Sequence, residues 1–148
     1  MSKGLTALEF KDLLRRRQYA IGVDPGTHTG LSFYDLRTKK LQSVETDGII
    51  SAMETALNYS DTAVLVVEDA RTRGGSKETM LGAGSIRRDC SIWQEFADYY
   101  NMPIFWKATP RGKVRTTKLT AEQFKALTGW GARTSNHARD AAMLVYGY

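Results

Sequence analysis

Residues 63–69 read Ala-Val-Leu-Val-Val-Glu-Asp, and this stretch decides the fold. Five apolar residues in succession, mostly β-branched and closed by acids, are too short for a buried helix and leave no polar face for solvent. They predict a strand covered on both sides, which belongs in a parallel sheet flanked by helices. Working back along the chain, Ile49, Ile50, Met53 and Leu57 have helical spacing, predicting a helix over residues 49–59. Before it, residues 19–24 (YAIGVD) form a second apolar strand, broken by Pro25-Gly26. Strands over about residues 29–35 and 40–47, joined by a turn at 36–39, complete an antiparallel meander. Thr6 and Glu9 have capping-box spacing and open a helix from about Ala7 to Arg17.

Working forward, residues 71–77 form a basic, glycine-containing loop, and a long helix follows from about Leu81 to Tyr100. Met102 to Trp106 is a short strand, and Lys107 to Lys118 is a second basic loop. Thr120 opens a helix that Gly129 ends, and the last helix begins near Ser135 or Asn136. Helical crossovers make the first, fourth and fifth strands parallel. The expected fold is therefore α/β: a mixed five-stranded sheet, three antiparallel strands plus two parallel, with helices on both faces. Residues 1–17 are expected to be a helical extension and residues 18–148 one domain.

The composition agrees. With 148 residues, 42% hydrophobic and 25% charged, the chain suits one globular domain and excludes global disorder. It is short for a two-lobed kinase or synthetase. No apolar run reaches membrane-spanning length, and the N-terminus lacks a signal-type stretch. Cys90 stands alone, which excludes a disulfide framework and a cysteine zinc site and fits a reducing compartment, hence a cytoplasmic location. Residues 1–70 carry 8 basic and 10 acidic groups, whereas residues 71–118 carry 10 basic and only 4 acidic. Such a concentrated positive field suits a polyanion such as nucleic acid. Candidate phosphate contacts in this stretch are Arg71, Arg73, Lys77, Arg87, Arg88, Lys107, Arg111, Lys113 and Arg115. The alternative is a solvated basic face.

In an open α/β sheet, sites collect at the carboxyl ends of parallel strands. Asp24 ends the first strand and Glu68 the fourth. In His137-Ala138-Arg139-Asp140 the His and Asp are three apart and share a helical face. Gathered carboxylates repel and lose solvation unless a cation neutralises them, and magnesium or manganese does so through oxygen ligands. Acids for a metal beside a basic middle for phosphates favour a metal-dependent nuclease. Each part has a plainer reading: a turn at Asp24-Pro25-Gly26, a salt bridge from Glu68 to Arg71 or Arg73, and a helix-start His137.

The segment IGVDPGTHTG, the VVED closing the fourth strand and the C-terminal NHARDAAMLVYGY together resemble the RuvC family of Holliday junction resolvases, within the ribonuclease H-like superfamily. The compact chain is most similar to phage-type or virus-type members, which would place it in a bacterial host's cytoplasm. The resemblance implies a homodimer that holds two divalent ions per site and nicks opposing strands of a four-way junction. Asp24, Glu68 and Asp140 match the family's acids, and His137 stands where many members have aspartate. The family's active-site lysine falls at Lys107 or Lys118, and Lys118 is taken as the catalytic candidate. No membrane and no nucleotide cofactor are expected. A basic loop replaces the wedge that many members carry after the glutamate. Rival readings are a nuclease for flaps, forks or RNA–DNA hybrids, a silent junction-binding protein, and an actin-like phosphotransferase suggested by the DPGT turn.

Overall fold

The computed structural model describes residues 4–71, 77–108 and 119–148, with only the backbone given for residues 77–83 and 86. The elements are α1 (Ala7–Arg16), β1 (Tyr19–Asp24), β2 (His28–Asp35), β3 (Lys40–Gly48), α2 (Ile49–Leu57), β4 (Ala63–Asp69), α3 (Lys77–Tyr99), β5 (Ile104–Ala108), α4 (Ala121–Thr128) and α5 (Asn136–Val145). The sheet order is β3-β2-β1-β4-β5. The meander β1-β2-β3 is antiparallel, whereas β4 runs parallel to both β1 and β5. This is the mixed five-stranded sheet expected from the sequence.

The pleat sorts side chains to two faces. On one face Ile21, Val23, Leu65 and Val67 meet Ala52, Met53 and Ala56 of α2 and Trp93, Phe96 and Ala97 of α3. On the other, Ala20, Val64 and Val66 meet Leu144 and Val145 of α5 and Phe10 of α1. A smaller cluster joins Val44 and Phe124 to Ala138 and Ala142 of α5. β4 therefore buries apolar residues on both faces, and each such Val or Leu contributes roughly 1.5–3 kcal/mol relative to exposure. Of the aromatic residues on α3, Trp93 and Phe96 enter the core, whereas Tyr99 and the following Tyr100 lie exposed.

α1 begins with the expected capping box, in which Glu9 N–H donates to Thr6 Oγ1 and Thr6 N–H to Glu9 Oε1. Its Phe10 stacks flat on Phe105 at 4.1 Å and meets Tyr148 edge-on at 5.3 Å. Just before it, Leu5 N–H donates to Ile104 O, so the N-terminal segment covers part of the outer edge of β5.

Three elements differ from the sequence reading by two residues or more, and the first, α2, ends at Leu57 rather than at residue 59. α3 begins at Lys77 rather than near Leu81. β5 runs from Ile104 to Ala108 rather than from Met102 to Trp106. Asn101 takes a left-handed conformation (φ 52), and Met102 N–H turns back to Ala97 O. Met102 thus fills the core from a turn, and Pro103, which has no N–H to give a ladder, precedes the strand. Lys107 consequently lies on β5 and not in the following loop.

α4 is capped by Thr120 with Gln123 at one end and by Gly129, left-handed at φ 77, at the other. Gly129→Ala should lower stability by about 1–2 kcal/mol, because an L side chain resists that conformation. A urea midpoint equal to that of the parent chain would contradict this. Among the described residues, no helix is long and apolar enough to cross a membrane.

Candidate active site

The register of the parallel strands builds the site. Val23 pairs with Val67, so Asp24 and Glu68 come next, side by side, at the carboxyl ends of β1 and β4. Both share the pleat parity of Ala20, Val64 and Val66, which face α5. Glu68 in turn pairs with Lys107 on β5. The row Asp24, Glu68, Lys107 thus crosses three parallel strands beneath one helix.

That helix supplies the remaining groups. His137 Nδ1 lies 3.1 Å from Asp24 Oδ2. Asp140, one turn on, is close enough that its charge acts on Asp24, as does that of Glu68. Asp24 is only 14% exposed, and His137 is 52% exposed. Burial first, and then repulsion from Glu68 and Asp140, push the Asp24 carboxyl up from 3.8 to about 7, although the bond to His137 opposes the shift.

α5 reaches this position because two strand glycines admit it. A Cβ on Gly30 would lie 2.0 Å from His137 O, and one on Gly22 would lie 2.0 Å from Ala141 O. The helix backbone therefore rests directly on β2 and β1. Its N-terminus is tied down as well. Ser135 caps it by accepting from Ala138 N–H, and Thr46 of β3 shares a short hydrogen bond with the Ser135 hydroxyl. On the strand side, Thr29 Oγ1 donates to Gly26 O at 2.7 Å and braces the turn that follows Asp24.

The basic candidates divide. Arg71 does not pair with Glu68. It forms a two-pronged contact with Asp69, at 2.9 and 3.0 Å, and lies over the Trp106 ring at 4.1 Å. That partner holds the Asp69 carboxyl below its ordinary value. Lys107 Nζ donates to Leu144 O at 3.1 Å, in the last turn of α5, and sits above the Tyr148 ring. Arg87 and Arg88 are exposed on α3. Arg73, Arg111, Lys113, Arg115 and Lys118 fall outside the described residues, as does the side chain of Lys77.

The donor types, three carboxylates and one imidazole, fit a divalent cation such as magnesium or manganese. Asp24 and His137 are bonded to each other, and among the described residues no three such side chains are drawn around a single point. Sequence reasoning missed Gly22, Gly30 and the buried Arg139. The glycines had a signal, since a glycine inside a strand pattern marks a close backbone approach.

The sheet order, the parallel pairing of β1 with β4 and the helix laid across its carboxyl edge define an α/β protein of the ribonuclease H-like fold. Comparison with solved structures agrees. The chain is similar to Thermus thermophilus RuvC in complex with Holliday junction substrate, with TM-score 0.61, 16% identity, and 88% of this chain and 91% of that chain covered. It is likewise similar to the Thermus thermophilus RuvC structure, with TM-score 0.57, 16% identity, and coverage of 86% and 91%. No family model and no curated protein sequence matches the chain.

Proposed function

We propose that the chain is a metal-dependent, structure-selective endodeoxyribonuclease that resolves Holliday junctions and other branched DNA by paired nicks. The observation that carries this reading is the placement of Asp24 beside Glu68 at the carboxyl ends of β1 and β4, with His137 of α5 bonded to Asp24 and the charge of Asp140 acting on it. A binding protein gains nothing from negative charge gathered where phosphates must approach, whereas a metal site needs it. The likeness of the fold to RuvC bound to a Holliday junction supports the same substrate class.

In this reading Asp24, Glu68, His137 and Asp140 would hold two divalent ions, which when bound supply an activated water and charge relief for the departing 3′ oxygen. Asp24 and Glu68 fix the ligand position from the sheet, and His137 and Asp140 close it from the helix. Lys118 is assigned to offset charge on the reacting phosphate. The basic residues between 71 and 118 would grip the backbone, with a salt dependence that follows the number of contacts. The nuclease unit is residues 18–148, with residues 1–17 an extension. A homodimer suits a two-fold junction, because each subunit then cuts one of two equivalent strands.

The test is cleavage of synthetic four-way junctions with magnesium, manganese or chelator, mapped on labelled strands. Symmetric nicks that leave 5′-phosphates, dependent on metal, are expected. Imidazole is a softer ligand than carboxylate, so manganese should outperform magnesium at equal concentration. Rates with magnesium that match or exceed those with manganese would remove His137 from the ligand set. Cleavage that persists in chelator would overturn the metal reading altogether.

A further inference from the structure

Arg139 lies between His137 and Asp140 in sequence, yet it is only 7% exposed. Its guanidinium makes four hydrogen bonds. Nε donates to Leu119 O at 2.9 Å, Nη1 donates to Thr134 O and Thr134 Oγ1 at 2.8 and 2.9 Å, and Nη2 donates to Asn136 Oδ1. All four acceptors are uncharged. They belong to the segment entering α4, the loop before α5 and the first turn of α5 itself. A planar fork of fixed donors can hold three chain segments in one arrangement, which a flexible ammonium cannot. Burying a charge for this purpose is costly where an apolar side chain would fill the space, so the arrangement is a specific one.

What the fork holds is one side of a cleft. A space of about 470 Å³ opens between Leu119, Thr120 and Ala121 on the α4 side and Asn136, His137, Arg139 and Asp140 on the α5 side. The α5 side is seated on the sheet through Gly30 and Gly22. On the α4 side, Leu119 is bound to the α5 side through Arg139. We propose that Arg139 is a positioning residue that sets the width of this cleft, and that the cleft seats the DNA strand beside His137 and Asp140. The proposal rests on the nuclease reading above. Arg139 borders the cleft, but its guanidinium hydrogen bonds go to Leu119, Thr134 and Asn136, and it acts through them.

The consequence is a separation of effects. Metal binding depends on side chains that the sheet and α5 hold, so it should survive loss of the fork. Strand placement should not, because displacements of about 1 Å near a reacting centre can cost about 100-fold in rate. The test compares the full-length chain with Arg139→Lys, Arg139→Gln and Asn136→Ala. Manganese is titrated without DNA, and single-turnover nicking of a four-way junction is measured with manganese. Arg139→Lys keeps the buried charge and should keep most of the melting temperature, yet nick about 30-fold more slowly. Its manganese midpoint should stay well short of the loss of about 10–100-fold that follows when a ligand loses its own hydrogen-bond partner. Arg139→Gln should slow nicking at least as much, and Asn136→Ala, which removes one acceptor and leaves the core intact, by about threefold. In Arg139→Ala, added methylguanidinium should restore part of the rate.

A purely structural role predicts instead that rates track the folded fraction and that Arg139→Lys nicks normally. Either result overturns the proposal. If the arginine variants do not fold, an unchanged rate in Asn136→Ala overturns it, as does a slowed rate that junction excess restores, and a slowed rate at saturating junction supports it. A parent chain that neither binds nor nicks branched DNA removes the functional reading, and the proposal with it. A parent that nicks no faster than Arg139→Lys removes the proposal alone.

Discussion

Asp24→Asn should abolish nicking and, in the same preparation, make the metal-free protein more stable. The first effect follows from the removal of a largely buried carboxylate of the cluster and should exceed about 1,000-fold, with junction binding retained. The second follows from the cost of keeping that carboxylate ionised. Asp24 holds its proton to about 7, compared with 3.8 ordinarily, chiefly through burial and then through the charges of Glu68 and Asp140. Between those two values the folded chain binds a proton that the unfolded chain has released. Stability is therefore greatest below about pH 4 for this group and falls as pH rises through 7. Once the group is fully ionised the penalty is on the order of 4 kcal/mol. Asn keeps the shape and a bond to His137 and carries no charge.

The chain and the variant should therefore unfold alike near pH 4 and diverge towards pH 8, with Asp24→Asn the more stable by roughly 2–4 kcal/mol in chelator. Added manganese should raise the midpoint of the parent chain and do little for the variant, since a ligand stabilises only the state that binds it. Urea melts across pH, with and without metal, measure all of this. Equal stabilities near pH 8 would show that Asp24 is not strained by its neighbours. Nicking by the variant would remove it from the site.

The sequence carried the sheet well because its two central strands, residues 19–24 and 63–69, are apolar in the plainest way and end in acids. Once β1 and β4 are neighbours, Asp24 and Glu68 must meet, and helical spacing puts His137 with Asp140. The contacts of the arginines and of Lys107 were not legible. In sequence Arg139 is only the residue between Ala138 and Asp140, and the fold alone reveals the carbonyls around it. Arg71 has acids at both Glu68 and Asp69 within reach in sequence. The choice of Asp69 follows from the pleat, which turns Glu68 towards α5 and Asp69 to the opposite face with Trp106. Lys107 was read into a loop because the apolar run stops at Trp106, yet backbone pairing continues past the last apolar side chain.

Gly30→Ala should inactivate the protein through a single methyl group placed far along the chain from every acid but one. Neither Gly30 nor Gly22 has a left-handed backbone, so the substitution introduces no dihedral strain. The added carbon would instead lie 2.0 Å from His137 O and 2.5 Å from His137 C, deep inside van der Waals contact. Main-chain atoms cannot rotate aside as a side chain can, so α5 must lift by about 1 Å or more, and overpacking of this kind costs about 1–3 kcal/mol. The lift acts at His137, whose imidazole then loses Asp24, and it carries Asp140 with it. Loss of geometry on that scale predicts a fall in nicking of about 100-fold or more, together with weaker manganese binding. This is the reverse of the pattern expected for Arg139, where metal binding survives. Gly22→Ala meets Ala141 O at the same 2.0 Å, further along the helix. It should destabilise comparably while disturbing metal binding less. Gly131→Ala, with nothing among the described residues within 4 Å of the added carbon, is the control and should leave stability and nicking unchanged. If Gly30→Ala nicks like Gly131→Ala, then α5 does not rest on the sheet at this point.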